Sequence, residues 1–405
     1  MLFMSPNFAL LFTTRILRMF AYGSLAVILA LYLTQLGLSE TQIGLLLGLT
    51  LAGDAVISLW LTTNADRLGR RRMLIAGALL MLLAGVVFAL SRNWLVLTIT
   101  AIIGVISPSG NEVGPFLPIE QAALTQLIPA EKRTGIFAWY NLAGSFATAT
   151  GALACGWLVQ FLLGRGFEPL GAYRVIVVAY SLIGVVMALL FMRMGKQVEV
   201  PPESIKPVVN RFGLTQSQSI VARLSALFAL DAFGGAFVLQ SFMAYWFLVR
   251  YNVEPGLLGS IFFAANILAG FSALLASRVA KRIGLINTMV YTHIPSNILL
   301  ILVPLMPNLP LAIGCLLARF SISQMDVPTR QSYTMAVVTP EERSAAAGIT
   351  GIARSVGSSI APALAGIMLN AGWLSAPFIT AGTLKIIYDL ALYRSFVKIK
   401  PPEEH

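Results

Sequence analysis

Twelve apolar stretches, each of the order needed to cross a lipid bilayer, follow one another along the 405-residue chain. Roughly 20 apolar residues in a helix cover the ~30 Å hydrocarbon core. The stretches lie at about 13–36, 41–63, 73–90, 94–127, 134–163, 172–194, 219–250, 256–279, 284–305, 309–337, 342–370 and 374–396. The expected fold class is therefore all-α, a polytopic membrane protein of twelve transmembrane helices. Composition agrees, because 57% of residues are hydrophobic, 11% are charged and the mean hydropathy is +0.81, values that a water-facing surface would not tolerate.

The formal charge of +11 could suit nucleic acid, but the placement of Lys and Arg excludes that partner. Starting from the loop at Arg67 to Arg72, every second connection is basic: Lys132 and Arg133; Lys196, Lys206 and Arg211; Arg278, Lys281 and Arg282; Arg343; and Arg394, Lys398 and Lys400. The alternate connections hold only Arg92, Arg165, Arg174 and Arg250. This asymmetry places both termini in the cytoplasm. The expected location is the plasma membrane, in a bacterium the inner one, with the bilayer as a constant partner. Cys155 and Cys315 lie in apolar stretches, and His293 and His405 stand apart, so neither a disulfide, a metal site nor a cofactor is expected. The N-terminus has no charged lead and no small-residue cleavage site, and reads as a retained segment.

The chain repeats itself. Ala65, Arg67, Gly69 and Gly44 match Ala280, Arg282, Gly284 and Gly259 at a shift of 215. Pro118, Gln121, Glu131, Arg133 and Gly156 match Pro328, Gln331, Glu341, Arg343 and Gly366 at a shift of 210. The long polar interruption with Lys196, Pro201, Pro202, Glu203, Lys206 and Pro207 divides the repeats. The domains expected are a six-helix bundle over 1–194, a cytoplasmic linker over 195–218, a second six-helix bundle over 219–396 and a cytoplasmic tail over 397–405.

Between the second and third stretches stands Ala65-Asp66-Arg67-Leu68-Gly69-Arg70-Arg71-Arg72-Met73, which forces the chain out of the hydrocarbon and straight back. Asp-Arg-x-Gly-Arg-Arg in this place resembles the loop signature of the major facilitator superfamily, with Thr62 where that family carries its first Gly. Pro129-Ala130-Glu131-Lys132-Arg133 and Pro340-Glu341-Glu342-Arg343 are similar to the family's loops after helices four and ten, although as helix starts they need no further explanation. The resemblance covers nearly the whole chain. It implies parallel six-helix repeats about an axis along the membrane normal, a mid-membrane cavity lined by helices one, four, seven and ten, and a monomer. It also implies that Asp66, held by Arg70 in the loop with Arg67 and Gly69, engages the start of helix eleven and closes the cytoplasmic side. Asp54 and Arg354 fall on helices two and eleven, where the family's halves meet, and read as a gating or packing contact. Antiporters of the family carry Gly-x-x-x-Gly-Pro-x-x-Gly-Gly on helix five; Ala147, Gly151, Ala152, Cys155 and Gly156 occupy that register here, an eroded form.

Away from the span ends, eleven ionisable side chains fall inside the membrane: Arg18, Asp54, Glu112, Glu120, Asp231, Arg319, Asp326, Arg330, Arg354, Lys385 and Asp389. At roughly 2.5 to 3.5 kcal/mol for each lipid-exposed charge, leaving all of them unpaired would cost on the order of 30 kcal/mol. That exceeds the ~5 to 15 kcal/mol stability of a typical domain, so they must pair, protonate or meet water. Lys385 and Asp389 are four apart and read as a local pair. Arg319, Asp326 and Arg330 form one stripe on helix ten, and Glu112 and Glu120 share a side of the proline-rich helix four. Arg18 and Tyr22 share a face of helix one, and Asp231 opens the Gly-rich Asp231-Ala232-Phe233-Gly234-Gly235 of helix seven. Glu120 matches Arg330 at the shift of 210, and Arg18 falls against Asp231 with a gap of two, which suggests ion pairs across the pseudo-axis; a permanent network that merely holds the halves together is the other reading.

Within that set the carboxylates Glu112, Glu120, Asp231 and Asp326 outnumber Arg18, Arg319 and Arg330, leaving one acid free to carry a proton. Glu112, whose repeat equivalent is the apolar Ile322, is the first candidate and Asp231 the second. The substrate and proton site expected is Arg18, Tyr22, Glu112, Glu120, Asp231, Arg319, Asp326 and Arg330. No phosphate-cradling Gly-Lys-Ser/Thr loop and no catalytic constellation is present, so an ATP-driven pump and an enzyme are not expected. The function expected is secondary transport of a small solute by alternating access, coupled to protons and directed outward. Uptake or uniport of a polar or anionic solute is the alternative, and a non-transporting receptor or scaffold on the same fold the competing class.

Overall fold

The computed structural model describes residues 6–129, 132–199, 216–339 and 342–399. Most of the linker and the end of the tail, with Glu131, Pro340, Glu341 and His405, lie outside the described residues. All regular structure described is helical. The helices are α1 (Pro6–Gln35), α2 (Glu40–Leu68), α3 (Arg70–Leu90), α4 (Trp94–Ile103), α5 (Phe116–Leu127), α6 (Arg133–Gly164), α7 (Pro169–Met192), α8 (Gln218–Ala236), α9 (Gln240–Tyr251), α10 (Pro255–Ile283), α11 (Leu285–Leu302), α12 (Leu309–Ile322), α13 (Asp326–Ala336), α14 (Arg343–Asn370) and α15 (Ala376–Phe396).

Fifteen helices make twelve membrane passages because the fourth, seventh and tenth are each broken in two: α4 with α5, α8 with α9, and α12 with α13. Each of the twelve apolar stretches coincides with one passage. Among the described residues nine passages are long and apolar enough to cross a membrane by length and composition. The other three are the broken fourth and tenth, and α15, which carries Lys385, Asp389 and Arg394.

The chain forms two compact units, Met1–Pro207 with Gln240–Phe263, and Val208–Leu239 with Ala264–His405. In the first, α1 is buried on every side from Ala21 to Leu33, as an apolar helix at the centre of a bundle must be. It crosses α6 at backbone distance. A Cβ on Gly23 would overlap the Thr148 carbonyl, one on Gly151 would overlap the Phe20 carbonyl, and Ser24 Oγ donates to the Gly151 carbonyl at 2.9 Å. Farther along α6, Gly156 lies against Gly259 of α10 in the same way. The two glycines kept in the helix-five register thus have packing duties of their own. Helix α9 also belongs to this unit, where Ser241 donates N–H and Oγ–H to the Pro108 carbonyl at 3.2 and 2.5 Å.

The second unit is built on Leu224, Phe228, Ile286, Met289, Val290, Tyr333, Tyr388, Leu392 and Phe396, which bring α8, α11, α13 and α15 together. Gly357 of α14 packs onto the backbone of Ala229 in α8. Gly234 and Gly235 leave space for a side chain from α15: a Cβ on Gly234 would stand 3.1 Å from Lys385 Cγ.

Small residues are thus required where helices meet backbone to backbone. Replacing Gly151 with Val inserts atoms where the Phe20 carbonyl stands and should cost about 1 to 3 kcal/mol or more. Thermal unfolding of the detergent-purified variant, followed by tryptophan fluorescence, should show a clear fall in midpoint, whereas Gly135→Val, with open space around it, should leave the midpoint within a degree or two.

Candidate functional site

The break in the fourth passage organises the first unit's charges. Helix α4 is capped at Gly104 and α5 starts after Pro115, so residues 105–115 form no helix between them. Their freed backbone groups find partners on neighbouring helices and, in one case, within the segment itself. Tyr180 donates to the Val105 carbonyl, Ser241 to that of Pro108, Tyr22 to that of Val113 at 3.2 Å, and Ser107 to that of Asn111 at 2.7 Å. The Gly114 N–H, on a backbone with φ of +81°, donates to Asp54 Oδ1 at 2.7 Å. Irregular backbone is tolerated at membrane depth only when it is satisfied in this way.

Glu112 lies on this segment and therefore reaches two arginines of α1. Arg18 grips Glu120 in a bidentate pair, Nη1 to Oε1 at 2.8 Å and Nη2 to Oε2 at 2.7 Å, and donates from Nε to Glu112 Oε1 at 2.8 Å. Arg15 donates from Nη1 to Glu112 Oε2 at 2.5 Å and from Nε to the Tyr140 carbonyl at 2.9 Å. Tyr140 Oη and Thr14 Oγ1 complete the shell of Glu120 at 2.5 and 3.2 Å. The rings of Phe116 and Tyr140 lie 4.6 Å from the guanidinium carbons of Arg18 and Arg15 respectively. The side chains of Arg18 and Glu120 are both fully buried. Asp54 has the Gly114 N–H and, at 3.0 Å, Ser58 Oγ as donors; no cation pairs with it among the described residues.

The second unit holds a chain of charges of alternating sign. Arg330 Nη1 donates to Asp231 Oδ2 at 2.9 Å and stands 3.2 Å from Asp326 Oδ2, one turn away on α13. Lys385 Nζ donates to Asp231 Oδ1 and lies 3.5 Å from His293 Nε2. His293 Nδ1 meets Asp389 Oδ1 at 2.8 Å, and Asn297 donates to Asp389 Oδ2 at 3.0 Å. Arg319 and Arg354 make neither an ion pair nor a hydrogen bond among the described residues, apart from a 5.0 Å approach of Arg319 to the Phe320 ring.

In the charged loop, Arg70 Nε donates to Asp66 Oδ1 at 2.8 Å, while Arg67 is exposed and Gly69 takes φ of +102° to join α2 to α3. Glu199 caps α3, accepting the N–H groups of Arg70 and Arg71 at 2.7 and 3.1 Å. Arg70 Nη1 also donates to the Val198 carbonyl at 3.3 Å. A carboxylate here answers the unsatisfied donors and positive end of a helix N-terminus.

These contacts correct four expectations. The ion pairs Arg18–Glu120 and Arg330–Asp231 each form inside one unit and not across the pseudo-axis, because the opposite charges sit on neighbouring helices of the same bundle. Glu112 holds two cations, since it stands on the helix break and Arg15 supplies the second. Lys385 and Asp389 take separate partners, Asp231 and His293, offered by α8 and α11. His293 is accordingly a buried member of the network. Arg15 sits three residues before Arg18 on one helix face, and that spacing was the available signal. Tyr140, Asn297 and Glu199 had none.

The family model described as Major Facilitator Superfamily matches residues 11–325. An uncharacterized membrane protein of Saccharomyces cerevisiae, YJR124C, is 30% identical over 98% of this chain and 95% of its own. The quinolone resistance protein NorA of Staphylococcus aureus is 23% identical over 40% of each chain. Among solved structures, a mutant form of the nucleoside transporter NupG aligns with a TM-score of 0.76 at 13% identity over 96% of this chain and 99% of that one. A bacterial homolog of the human lysosomal transporter Spinster, inward-facing and unoccupied, aligns at 0.70 and 16% over 96% and 94%.

The buried pairs set a stability test. Arg18→Met strands Glu120, while Glu112 keeps Arg15, and should cost roughly 3 to 5 kcal/mol, the usual loss when one partner of a buried pair is removed. Adding Glu120→Gln to it should recover a substantial part. A thermal-unfolding double-mutant cycle checks this, and additive losses would show that the two side chains are not coupled.

Proposed function

Since the chain belongs to the major facilitator superfamily, and is an integral membrane transporter of the secondary type, we propose that it exports a small solute by alternating access in exchange for protons. The single observation that carries this reading is the organisation of membrane-embedded charge. Most of it is paired within one compact unit or the other, so those charges can move with their unit without being bared to lipid. Transport by rocking bundles demands this, whereas a scaffold has no need of buried acids at all. The outward direction is supported by the similarity of part of the chain to a quinolone resistance protein. Both termini and the basic connections face the cytoplasm in this reading, and the transporter acts as a monomer.

Asp54 is the proposed proton carrier. Every other membrane carboxylate named above holds an ion pair or, in Asp389, a histidine, and gaining a proton would break it. Asp54 is held by an N–H and an O–H alone. Protonation turns its charge-assisted bond to Gly114 into a neutral one of roughly half the strength. That loosens the segment on which Glu112 reaches Arg15 and Arg18. Asp66 and Arg70 form the cytoplasmic latch, with Glu199 fixing the turn beneath it.

Proteoliposomes loaded with the pH-sensitive dye pyranine test the reading when challenged with a panel of cationic, anionic, zwitterionic and neutral solutes. Some class should drive proton movement that an uncoupler collapses, and Asp54→Asn should abolish that movement while solute exchange persists. Solute flux without proton movement in the parent protein would leave uniport in its place. For the latch, Asp66→Asn should increase labelling of cysteines placed on the cytoplasmic side; unchanged labelling would remove that role.

A further inference from the structure

Helix α6 of the first unit has two exposed sides, and hydrocarbon suits only one of them. Trp139, Phe146, Trp157 and Phe161 are exposed along the first side, as a lipid-facing surface requires. At about 100° per residue, Asn141 stands on the opposite side, and it too is exposed. Ala138 and Ser145, one turn away in either direction, are too small to cover it. Farther along that same side Ala152, Cys155 and Val159 are buried, so the open surface is confined to the first half of the helix. Asn141 lies eight residues, about 12 Å, into α6. A carboxamide left bare to hydrocarbon at that depth is costly, which calls for water or a ligand beside it.

Arg15 sets Asn141 beside Glu112. Its fork donates from Nη2 to Asn141 Oδ1 at 3.4 Å and from Nη1 to Glu112 Oε2 at 2.5 Å, so both acceptors sit on one guanidinium. Gly144 leaves room for that approach, since a Cβ there would stand 2.8 Å from Arg15 Nε. Glu112 keeps 16% of its side chain exposed, whereas Arg18 and Glu120 are closed off. Every nitrogen of both guanidinium groups already donates: Arg15 to the Tyr140 carbonyl, Glu112 and Asn141, and Arg18 to Glu112 and Glu120. An anion therefore finds no free fork, and a cation meets a carboxylate already held by two arginines. Hydrogen-bonding capacity is what remains. With Oδ1 turned to Arg15, the Asn141 amide points its two N–H donors away from it, and each Glu112 oxygen, having accepted one arginine N–H, keeps a second lone pair.

We infer that Asn141 and Glu112 bind the hydroxyl groups of an uncharged polyol or sugar, Asn141 donating to a hydroxyl oxygen and Glu112 accepting an O–H. A donor and an acceptor side by side match a hydroxyl, which accepts and donates at once. An ammonium only donates and a carboxylate only accepts, so neither uses both. This rests on the transport reading in one respect only, that the bound solute is the cargo.

The test uses the purified full-length protein in nanodiscs at constant ionic strength, with unfolding followed by tryptophan fluorescence. The probes are glucose, ribitol and myo-inositol, with glucosamine and glucuronate as the cationic and anionic counterparts of glucose. Among the neutral probes at least one should raise the unfolding midpoint saturably, and neither charged counterpart should match it. Asn141→Asp keeps an oxygen for Arg15 but has no N–H donors, so it should melt like the parent and weaken the apparent affinity on the order of tenfold, as Asn141→Ala should. Phe146→Ala, on the lipid side, should leave the affinity unchanged. Asn141→Cys should react with a membrane-impermeant thiol reagent above the parent's own background, and Phe146→Cys should not. No neutral probe acting, a charged counterpart acting as strongly, an Asn141→Asp protein that keeps full affinity, or an unreactive Asn141→Cys would each overturn the site. Pyranine-loaded vesicles separate the two readings. Proton movement driven by charged solutes alone removes this site and leaves transport standing; binding of a neutral probe without flux of any solute does the reverse.

Discussion

A charge inside a membrane must be answered close by, and most of this structure follows from that requirement. The Arg18–Glu120 pair is the clearest case. Its partners are fully buried, bidentate and enclosed by Tyr140, Thr14 and the Phe116 ring. Coulomb attraction in a low-dielectric interior offsets desolvation only when the geometry is this complete. The second unit meets the same demand with the signs exchanged. A cation on the first passage and an acid on the fourth become an acid on the seventh and a cation on the tenth. The repeat has thus preserved the pairing of positions and reversed the charges.

Broken helices provide the means. An unbroken fourth passage could not bring Glu112 to both Arg15 and Arg18 while placing Glu120 in the bidentate grip. The break frees backbone carbonyls, and these are taken by Tyr22, Tyr180, Ser107 and Ser241. Tyr22 therefore serves as a strut of the break in this structure. The freed Gly114 N–H gives Asp54 its principal contact and links α2 to the segment that bears Glu112. In the tenth passage the break separates Arg319 from Asp326, and Ser323 lies between them. Local loss of helix is in both places the origin of the polar site.

Much of the fold was legible in the sequence because hydropathy reports directly on membrane passage, and all twelve stretches correspond to helices. The breaks were less so. Pro108, Pro115 and Pro118 marked the fourth passage as irregular, but nothing comparable marks Ser323–Met325, and the seventh passage carries only Gly234 and Gly235 as a sign. The ionisable residues themselves could be read off, whereas their partners could not, since pairing depends on distances between helices remote in sequence. Arg15 stands at the edge of the apolar stretch that starts near residue 13, whereas α1 begins at Pro6 and so places Arg15 well inside the helix. His293 looked solitary because its partner, Asp389, lies on the last helix.

Local pairing of charges within each unit is the central claim, and structures of the protein in two states of opposite accessibility test it most directly. Cryo-electron microscopy of an inward-open and an outward-open form should find Arg18 on Glu120 and Arg330 on Asp231 in both, with the pairs carried intact through the transition. Exchange of those partners between the first six passages and the last six, with Arg18 on an acid of the later passages in either form, would contradict the account.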